Sequence, residues 1–400
     1  MAIKKSQTYR HFHVSDSDQG IERLDPIPRD LMPLWANDVS QSIYDWTGQM
    51  ETAEPHFPEP IPFVIPPPTG SAEPFYSHNH CPAISWCENG DLLTIWFSTE
   101  EEAGTEMTIL ASRFRAAAEE WDPASEFFKA ENRNMTGSAV FNDSDGTLYH
   151  FNGMGMEGAQ GWEHLALLMR SSDDNGVTWT PPRPISSGDR YQRRHQVIAG
   201  TTETPDGVWV QPCDGTPEGQ GPTAIHISSD KGRTWVDPGG DIRGIHAGVV
   251  GLGGGRLLAF GRGQPLEGRM PESRSDDLGR TWRKKPSPFP AISSAQRLVL
   301  LRLREGPLLF VSFTDAAHHK DREQWQGMEF ENGDGQTFVG YGMFAVLSFD
   351  DGQTWPVRKL MTPGSGTYDG GAWTGEFSAG PTMAEPKGYL AATQTPDLFP

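Results

Sequence analysis

Apolar positions along this chain come in short runs of strand length, and the runs come in pairs. In "HCPAISWCENGDLLTIWF" (80–97) an apolar stretch meets a Gly-containing turn, and a second apolar stretch follows. The same plan returns in "GSAVFNDSDGTLYHFNG" (137–153), "HQVIAGTTETPDGVWVQP" (195–212), "HAGVVGLGGGRLLAFGR" (246–262), "RLVLLRLREGPLLFVSF" (297–313) and "GPTMAEPKGYLAAT" (380–393). Runs this short, bounded by Gly and polar turn residues, predict pairs of antiparallel strands rather than helices.

Most pairs lead into a further strand that ends in one signature. "SSDDNGVTW" (171–179), "SSDKGRTW" (228–235), "SDDLGRTW" (275–282) and "SFDDGQTW" (348–355) all contain S-x-D-x-G-x-T-W. Each fixed residue has a turn-making role. The aspartates Asp174, Asp230, Asp277 and Asp350 accept N–H bonds across a tight hairpin, and the Gly two residues on supplies a positive φ. The Ser and Thr hydroxyls tie down the same turn, and the Trp offers a large apolar body to pin it. These aspartates are therefore read as fold markers and not as catalysts.

Four strands per unit, recurring at roughly 50 to 60 residues, is the plan of a propeller blade. Six inner pairs predict an all-β, six-bladed propeller of four-stranded antiparallel blades over residues 76–400. The first unit has only a degenerate hairpin near Glu119–Trp121, and no outer strands follow Thr393 in the sixth. Either the N-terminal stretch around "TYRHFHV" closes the last blade, or that blade is truncated. Residues 1–75, with "PIPRDLMPLW" and "PEPIPFVIPPPTG", are too rich in Pro for regular structure and are expected to wrap the outside.

Composition fits this picture and narrows the partners. The 400 residues include 45 Gly, 33 Pro and 13 Trp, and the net charge of −20 disfavours nucleic acid, whose phosphates want a basic face. An anionic sugar is still open, because a few arginines converging in a cleft dominate the local field. No apolar run approaches a membrane span. "MAIKKSQTYRHFHV" has basic residues but no apolar stretch behind them, so the cytoplasm is the default location, with secretion the alternative if a leader was removed. Cys81 and Cys87 sit at opposite ends of one extended segment, roughly 20 Å apart at strand rise, too far for a disulfide.

The hairpin signature and the blade plan together resemble the sialidase superfamily of Asp-box, or BNR-repeat, propellers over about residues 78–394. That resemblance implies an active site at the mouth of the central channel, lined by the innermost strands and the loops before them. The positions so singled out are His78, Asn79 and His80, then Asn134 and Thr136, then Tyr191, Arg193, Arg194 and His195. The remaining units offer His246, Gln296 with Arg297, and Glu376 with Phe377. Three places depart from the family pattern: His80 stands for a carboxylate-binding Arg, His246 for the Glu that activates the nucleophile, and Phe377 for the nucleophilic Tyr, with Tyr368 nearby as a replacement phenol. The loop "STEEEAGTEM" offers Glu102 or Glu106 as the acid/base carboxyl.

The expected activity is cleavage of a glycosidic bond in a sialic- or uronic-acid glycan at a His- and Arg-centred site. Arg297 and one of Arg193 or Arg194 are suited to clamp a carboxylate in two parallel bonds. One alternative is β-elimination in a uronic-acid polysaccharide, which resembles the His-dependent propeller lyases of ulvan-type glycans: Arg297 as clamp, His195 or His80 as base, Tyr191 or His246 as acid. The other is a glycan-binding propeller without turnover. No cofactor is expected, and His78 and His80 with a third ligand such as His195 are the arrangement that would suit zinc or another divalent ion. Trp96, Trp162, Trp325 and Trp373 are candidates for stacking on sugar rings, set against the ordinary use of Trp as packing between blades.

Overall fold

A computed structural model describes residues 32–45, 60–116, 118–162, 165–185, 195–215, 221–319, 322–370 and 374–396. Among them the elements are strands, apart from two single 3-10 turns at Leu34–Ala36 and Arg322–Gln324. The strands form five blades. Blade one runs His78–Trp86, Leu92–Thr99, Thr108–Phe114 and Ser125–Phe128, each antiparallel to the next. Blade two runs Ser138–Asn142, Leu148–Met154, Ala166–Ser172 and Arg183–Pro184.

In blade three the innermost strand is broken into Gln196–Val197 and Thr202–Glu203, both paired with Trp209–Asp214, which pairs in turn with Thr223–Ser228. Blade four is Ile245–Gly253, Arg256–Arg262, Arg269–Ser275 and Arg283–Pro290. Blade five is Val299–Arg302, Leu308–Phe313, Met343–Ser348 and Val357–Leu360, with a separate hairpin of Met328–Glu331 and Thr337–Gly340 inserted between its second and third strands.

The four signatures fold as their residue types require. In each, Ser Oγ donates to Asp Oδ1 at 2.7 or 2.8 Å and Thr Oγ1 donates to Asp Oδ2 at 2.6 or 2.7 Å. The glycines have φ between +76° and +83°, and the residue before each, Asn175, Lys231, Leu278 or Asp351, is left-handed as well. A Cβ on Gly279 would come within 2.4 Å of Ile225 in the preceding blade, so the position excludes side chains on space as well as on φ. The Trp enters the seam between its own blade and the one before it. Trp235 meets Phe151 edge-on at 5.6 Å, and Trp355 meets Phe260 and Phe289 at 6.0 and 5.3 Å. The core is thus a set of seams between blades and not one central mass.

The described parts of the Pro-rich segment lie on blade one and reach the hairpin of blade two, where Gln41 Nε2 donates to the Asp174 carbonyl at 3.1 Å. Trp35 packs edge-on against Phe127 at 5.1 Å, its carbonyl accepts from Arg113 Nε at 2.7 Å, and Phe63 meets Trp96 at 5.5 Å. The stretch "TYRHFHV" falls outside the described residues.

The expectation of six blades is corrected to five. The segment 366–379 forms only a two-stranded hairpin, Gly366–Asp369 with Glu376–Ala379, in which no residue is buried. Two strands without an apolar face have nothing to recruit further strands. Beyond it, "GPTMAEPKGYL" does not make an antiparallel inner pair. Gly380 and Met383 close a tight turn, and Gly388–Tyr389 runs parallel to Gln296–Arg297 at the entrance of blade five. On its other side the Tyr389 ring lies 4.1 Å from the His80 ring of blade one. A single short strand therefore sits between the last blade and the first.

Candidate functional site

The inner strands of blades one and four each begin with a bulge. The ladder with the second strand is interrupted between His80 and Ala83 and between Ile245 and Gly248. The residue in the left-handed region is Cys81 in the first case (φ +56°) and His246 in the second (φ +52°). Neither is glycine, so the backbone stores strain on the order of 1 kcal/mol or more at each. The register makes Cys81, not His80, the counterpart of His246, and by the same count Arg297 holds that place two residues before Val299.

His246 is held from both sides. Its Nδ1 lies against the carboxylate of Asp214, the last residue of the second strand of blade three, and its backbone N–H donates to the other oxygen of Asp214 at 2.8 Å. Thr223 Oγ1 donates to that same oxygen at 2.9 Å. A carboxylate only accepts, so Nδ1 carries the proton and Nε2 presents its lone pair. That lone pair faces the hydroxyl of Tyr389 at 3.1 Å. Arg262 Nη1, at the end of the second strand of blade four, donates to the same phenol oxygen at 2.6 Å. With one donor already on its oxygen, the tyrosine hydroxyl donates to His246. The result is a continuous chain from Asp214 through His246 to the phenol, with a guanidinium against the phenol oxygen.

Burial sets the protonation of this group. It pushes His246 down to about 4, with Asp214 opposing the shift, so the ring is neutral over most of the pH range. It pushes the Tyr389 phenol up to about 12, the Arg262 guanidinium pulling the other way. His80 goes down to about 3, again through burial, with Glu102 opposing. The imidazole is therefore neutral and the phenol protonated over most of the pH range.

Glu102 marks the more open side. Its Oε1 lies 3.5 Å from His78 Nε2 and 3.6 Å from His80 Nε2, and its side chain is 39 % exposed. The bond with His78 holds its carboxyl below the ordinary range, against the effect of burial. Asn134 Nδ2 fixes this loop by donating to the carbonyls of Glu102 (2.8 Å) and Gly104 (3.0 Å).

Arg297 crosses the centre. Its Nη1 donates to the Ile198 carbonyl of blade three at 2.6 Å, its Nη2 to the Pro82 carbonyl of blade one, and its Nε to Leu390 of the closing strand at 2.9 Å. A five-bladed channel is narrow enough for one guanidinium to join three parts of the ring.

A sequence profile of the BNR repeat-like domain matches residues 90–390. The chain belongs to the BNR repeat-like domain family. This BNR propeller is similar in fold to the Hadza microbial sialidase Hz136, with TM-score 0.52, 18 % identity, and a match covering 72 % of this chain and 59 % of that one. The Trypanosoma rangeli sialidase in complex with sialic acid matches with TM-score 0.50 and 14 % identity over 69 % of this chain and 53 % of its own. The intramolecular trans-sialidase from Ruminococcus gnavus in complex with oseltamivir carboxylate matches with TM-score 0.50 and 10 % identity, over 74 % and 86 %. At these identities the likeness is one of fold alone. The matched part amounts to little more than half the length of the first and second of these structures. No curated protein matches the chain by sequence.

The BNR propeller assembles some of the residues picked from sequence and disperses others. His78, His80, His246 and Arg297 meet at the centre. Arg297, expected as a carboxylate clamp, has its donors on main-chain carbonyls instead. Glu106 turns into its own loop, accepting from Thr99 Oγ1 at 2.5 Å and from the Glu100 N–H at 2.8 Å, so Glu102 is the carboxyl that faces the histidines. His195 uses Nδ1–H on the Leu165 carbonyl at 2.9 Å and lies with its ring tilted against His226 at 5.3 Å, between blades two and three.

Tyr368 and Glu376 are on the outlying hairpin, where the Tyr368 hydroxyl donates to the Pro363 carbonyl at 3.2 Å. Tyr191, Arg193 and Arg194 lie outside the described residues. Among the described residues, no set of three His, Cys, Asp or Glu side chains is arranged to hold a metal ion, and no helix is long and apolar enough to cross a membrane. Burial pushes the Cys81 thiol up to about 12, which removes it as a nucleophile.

Sequence reasoning missed Asp214, Arg262 and Tyr389. One signal was available: "WVQPCD" and "LLAFGR" are buried strands that end on a charged residue. A charge closing such a strand lands at the channel mouth.

Proposed function

We propose that this chain is a carbohydrate-active enzyme that cleaves a glycosidic bond in an acidic glycan, with Tyr389 as the reacting phenol and His246, oriented by Asp214, as its base. The observation that carries this reading is the phenol itself, donating to a neutral imidazole at 3.1 Å and accepting from Arg262 at 2.6 Å. A nucleophile beside a base that is in turn oriented by a third group is the general pattern of activated nucleophiles.

In the first step the Tyr389 oxygen forms a bond to the anomeric carbon and its proton passes to His246 Nε2. The Arg262 guanidinium steadies the charge developing on the phenol oxygen, and the bond to the departing oxygen breaks. Glu102 is the carboxyl on the open side that gives that oxygen its proton; it later takes one from water as the water oxygen bonds to the anomeric carbon, the bond to Tyr389 breaks and His246 returns its proton to the phenol oxygen. Because His78 holds Glu102 below the ordinary carboxyl range, donation from it is favoured in acid. The guanidiniums of Arg262 and Arg297, 5.5 and 5.4 Å from the Tyr389 ring centre, supply a positive field for an anionic substrate although the chain is acidic.

The test is a screen of sialyl-conjugates, ulvan and rhamnose–glucuronate polymers, followed by release of reducing ends and by the absorbance of unsaturated uronate. Reducing ends without that absorbance bear out hydrolysis. Reducing ends with it give the same phenol and imidazole to β-elimination, and binding without turnover overturns the enzyme reading.

A further inference from the structure

The BNR propeller carries a concavity that the reacting phenol does not line. A cleft of about 500 Å³ opens between the edge of blade five and the C-terminal segment. Its lining includes Trp325, Phe377 and Met383 as apolar surface and His319, Glu376 and Lys387 as polar groups. We propose that this cleft binds a second sugar residue of the glycan, a pyranose ring on the chain being cut, so that the protein reads at least two adjoining sugars. This rests on the reading of the Tyr389 centre as a glycan-cleaving site.

Three observations support it. The first is position, since the cleft shares a wall with the centre. Gln296 Nε2 donates to the carbonyls of Asp315 (2.7 Å) and Pro386 (2.9 Å), both cleft residues, while Gln296 and Arg297 pair with Gly388 and Tyr389. Lys387 thus lies in the cleft two residues before the reacting phenol. The second is rigidity. Asp315 accepts from Gln326 N–H at 2.6 Å and Gly327 N–H at 3.2 Å, folding the loop back on itself, and Trp325 Nε1 donates to the His319 carbonyl at 2.7 Å. An indole so held is a pre-ordered platform.

The third is chemistry. A pyranose has an apolar face of C–H groups and a rim of hydroxyls, which calls for an aromatic surface bordered by groups that both donate and accept. Trp325 and Phe377 provide the first, and Lys387 and Glu376 the second. The volume falls within the range of small-ligand pockets, roughly 300–1,000 Å³.

The experiment compares Trp325→Ala and Trp325→Phe with the parent chain on 3′-sialyllactose, on the di- and tetrasaccharides of a rhamnose–glucuronate polymer, and on aryl monoglycosides of the same sugars. The expected result is a tenfold or larger fall in the ratio of kcat/KM for tetrasaccharide over aryl glycoside in Trp325→Ala, carried by KM and largely restored in Trp325→Phe. An unchanged ratio overturns the proposal. Calorimetric titration of the tetrasaccharide into Tyr389→Phe separates this from the reading of the centre. Binding retained in Tyr389→Phe and lost in Tyr389→Phe/Trp325→Ala supports the cleft even if no substrate is turned over. Binding equal in both variants, or absent from the parent chain at millimolar sugar, overturns it.

Discussion

The rim and the centre of this propeller use repetition in opposite ways. At the rim four hairpins repeat the same bonds: Gly N–H to Ser Oγ is 3.0 Å in the first and 2.8 Å in the other three. At the centre the place two residues before the regular inner ladder holds Cys81, His246 and Arg297, three unlike side chains, and only the first two sit left-handed in a bulge. The rim keeps its residues because a turn with two successive left-handed positions admits few alternatives. The centre keeps only the register. In blade four the bulge turns His246 toward Asp214 and Tyr389, and its chemistry is decided by what those neighbouring segments offer to it.

The largest expected effect separates the two regions by activity. Tyr389→Phe removes one oxygen from the centre and should reduce turnover by about a thousandfold or more, the scale of losing an activated nucleophile together with its base. Asp214→Asn should approach that loss, because an amide can donate to Nδ1 and turn the imidazole so that Nε2 no longer receives the phenol proton. The measurement is kcat/KM on whichever glycan the screen identifies, with melting curves as a control. Full activity in Tyr389→Phe would leave the centre a structural knot like the rim.

Next comes a stability difference. Arg297 is buried and satisfies carbonyls from two blades and the closing strand. Arg297→Met keeps the bulk but leaves those carbonyls without their donor, and should cost on the order of 3 kcal/mol in urea unfolding. A loss below about 1 kcal/mol would mean that the ring holds together through its seams alone.

The same contrast explains what could be read from sequence. Asp, Gly and Thr within one octapeptide announce the rim because their partners are two to four residues away. Asp214, His246 and Tyr389 meet across separations of 32 and 143 residues, and only the ladder brings them together. His246 could be picked because it opens an apolar strand. Tyr389, in "KGYL", could not be told from a core aromatic. The blade count failed for a related reason: apolar spacing suggested a sixth pair, but Pro386 and the polar hairpin before it give the segment no face to bury.

A pH titration should divide the regions a third way. His246, His80 and His150 all have folded pKa values pushed below the ordinary 6.5 by burial, to about 4, to about 3, and well below it. The unfolded chain takes up protons below pH 6.5 that these sites refuse. Their contribution is therefore full above pH 6.5 and is lost as pH falls toward 4, at about 1.4 kcal/mol per pH unit for each group. His246→Asn, chosen because Asn tolerates a left-handed backbone, should remove one proton from that slope. Activity adds its own mark: His78→Ala releases Glu102 from the bond that lowers it, so the alkaline limb of the rate profile should move up. A limb that stays in place would take the acid/base role from Glu102.

The smallest effect belongs to the rim and makes the comparison complete. Asp277 accepts from Ser275, from the Thr281 hydroxyl and from the Thr281 N–H, and the Thr281 hydroxyl leads in holding its carboxyl down at about 2. Asp277→Ala removes the hub of one hairpin out of four, at a partly exposed site where water can replace much of what is lost. The melting temperature should fall by only a few degrees, and kcat/KM should stay within twofold, because the bonds of Asp277 stay within its own hairpin and the seam beside it is held by buried residues such as Ile225, Ile242, Val249 and Leu257, with Trp282 packed against them. If Asp277→Ala instead lowered activity as steeply as it lowered stability, rim and centre would be one cooperative unit, and the chemistry could not be treated as grafted onto an indifferent scaffold.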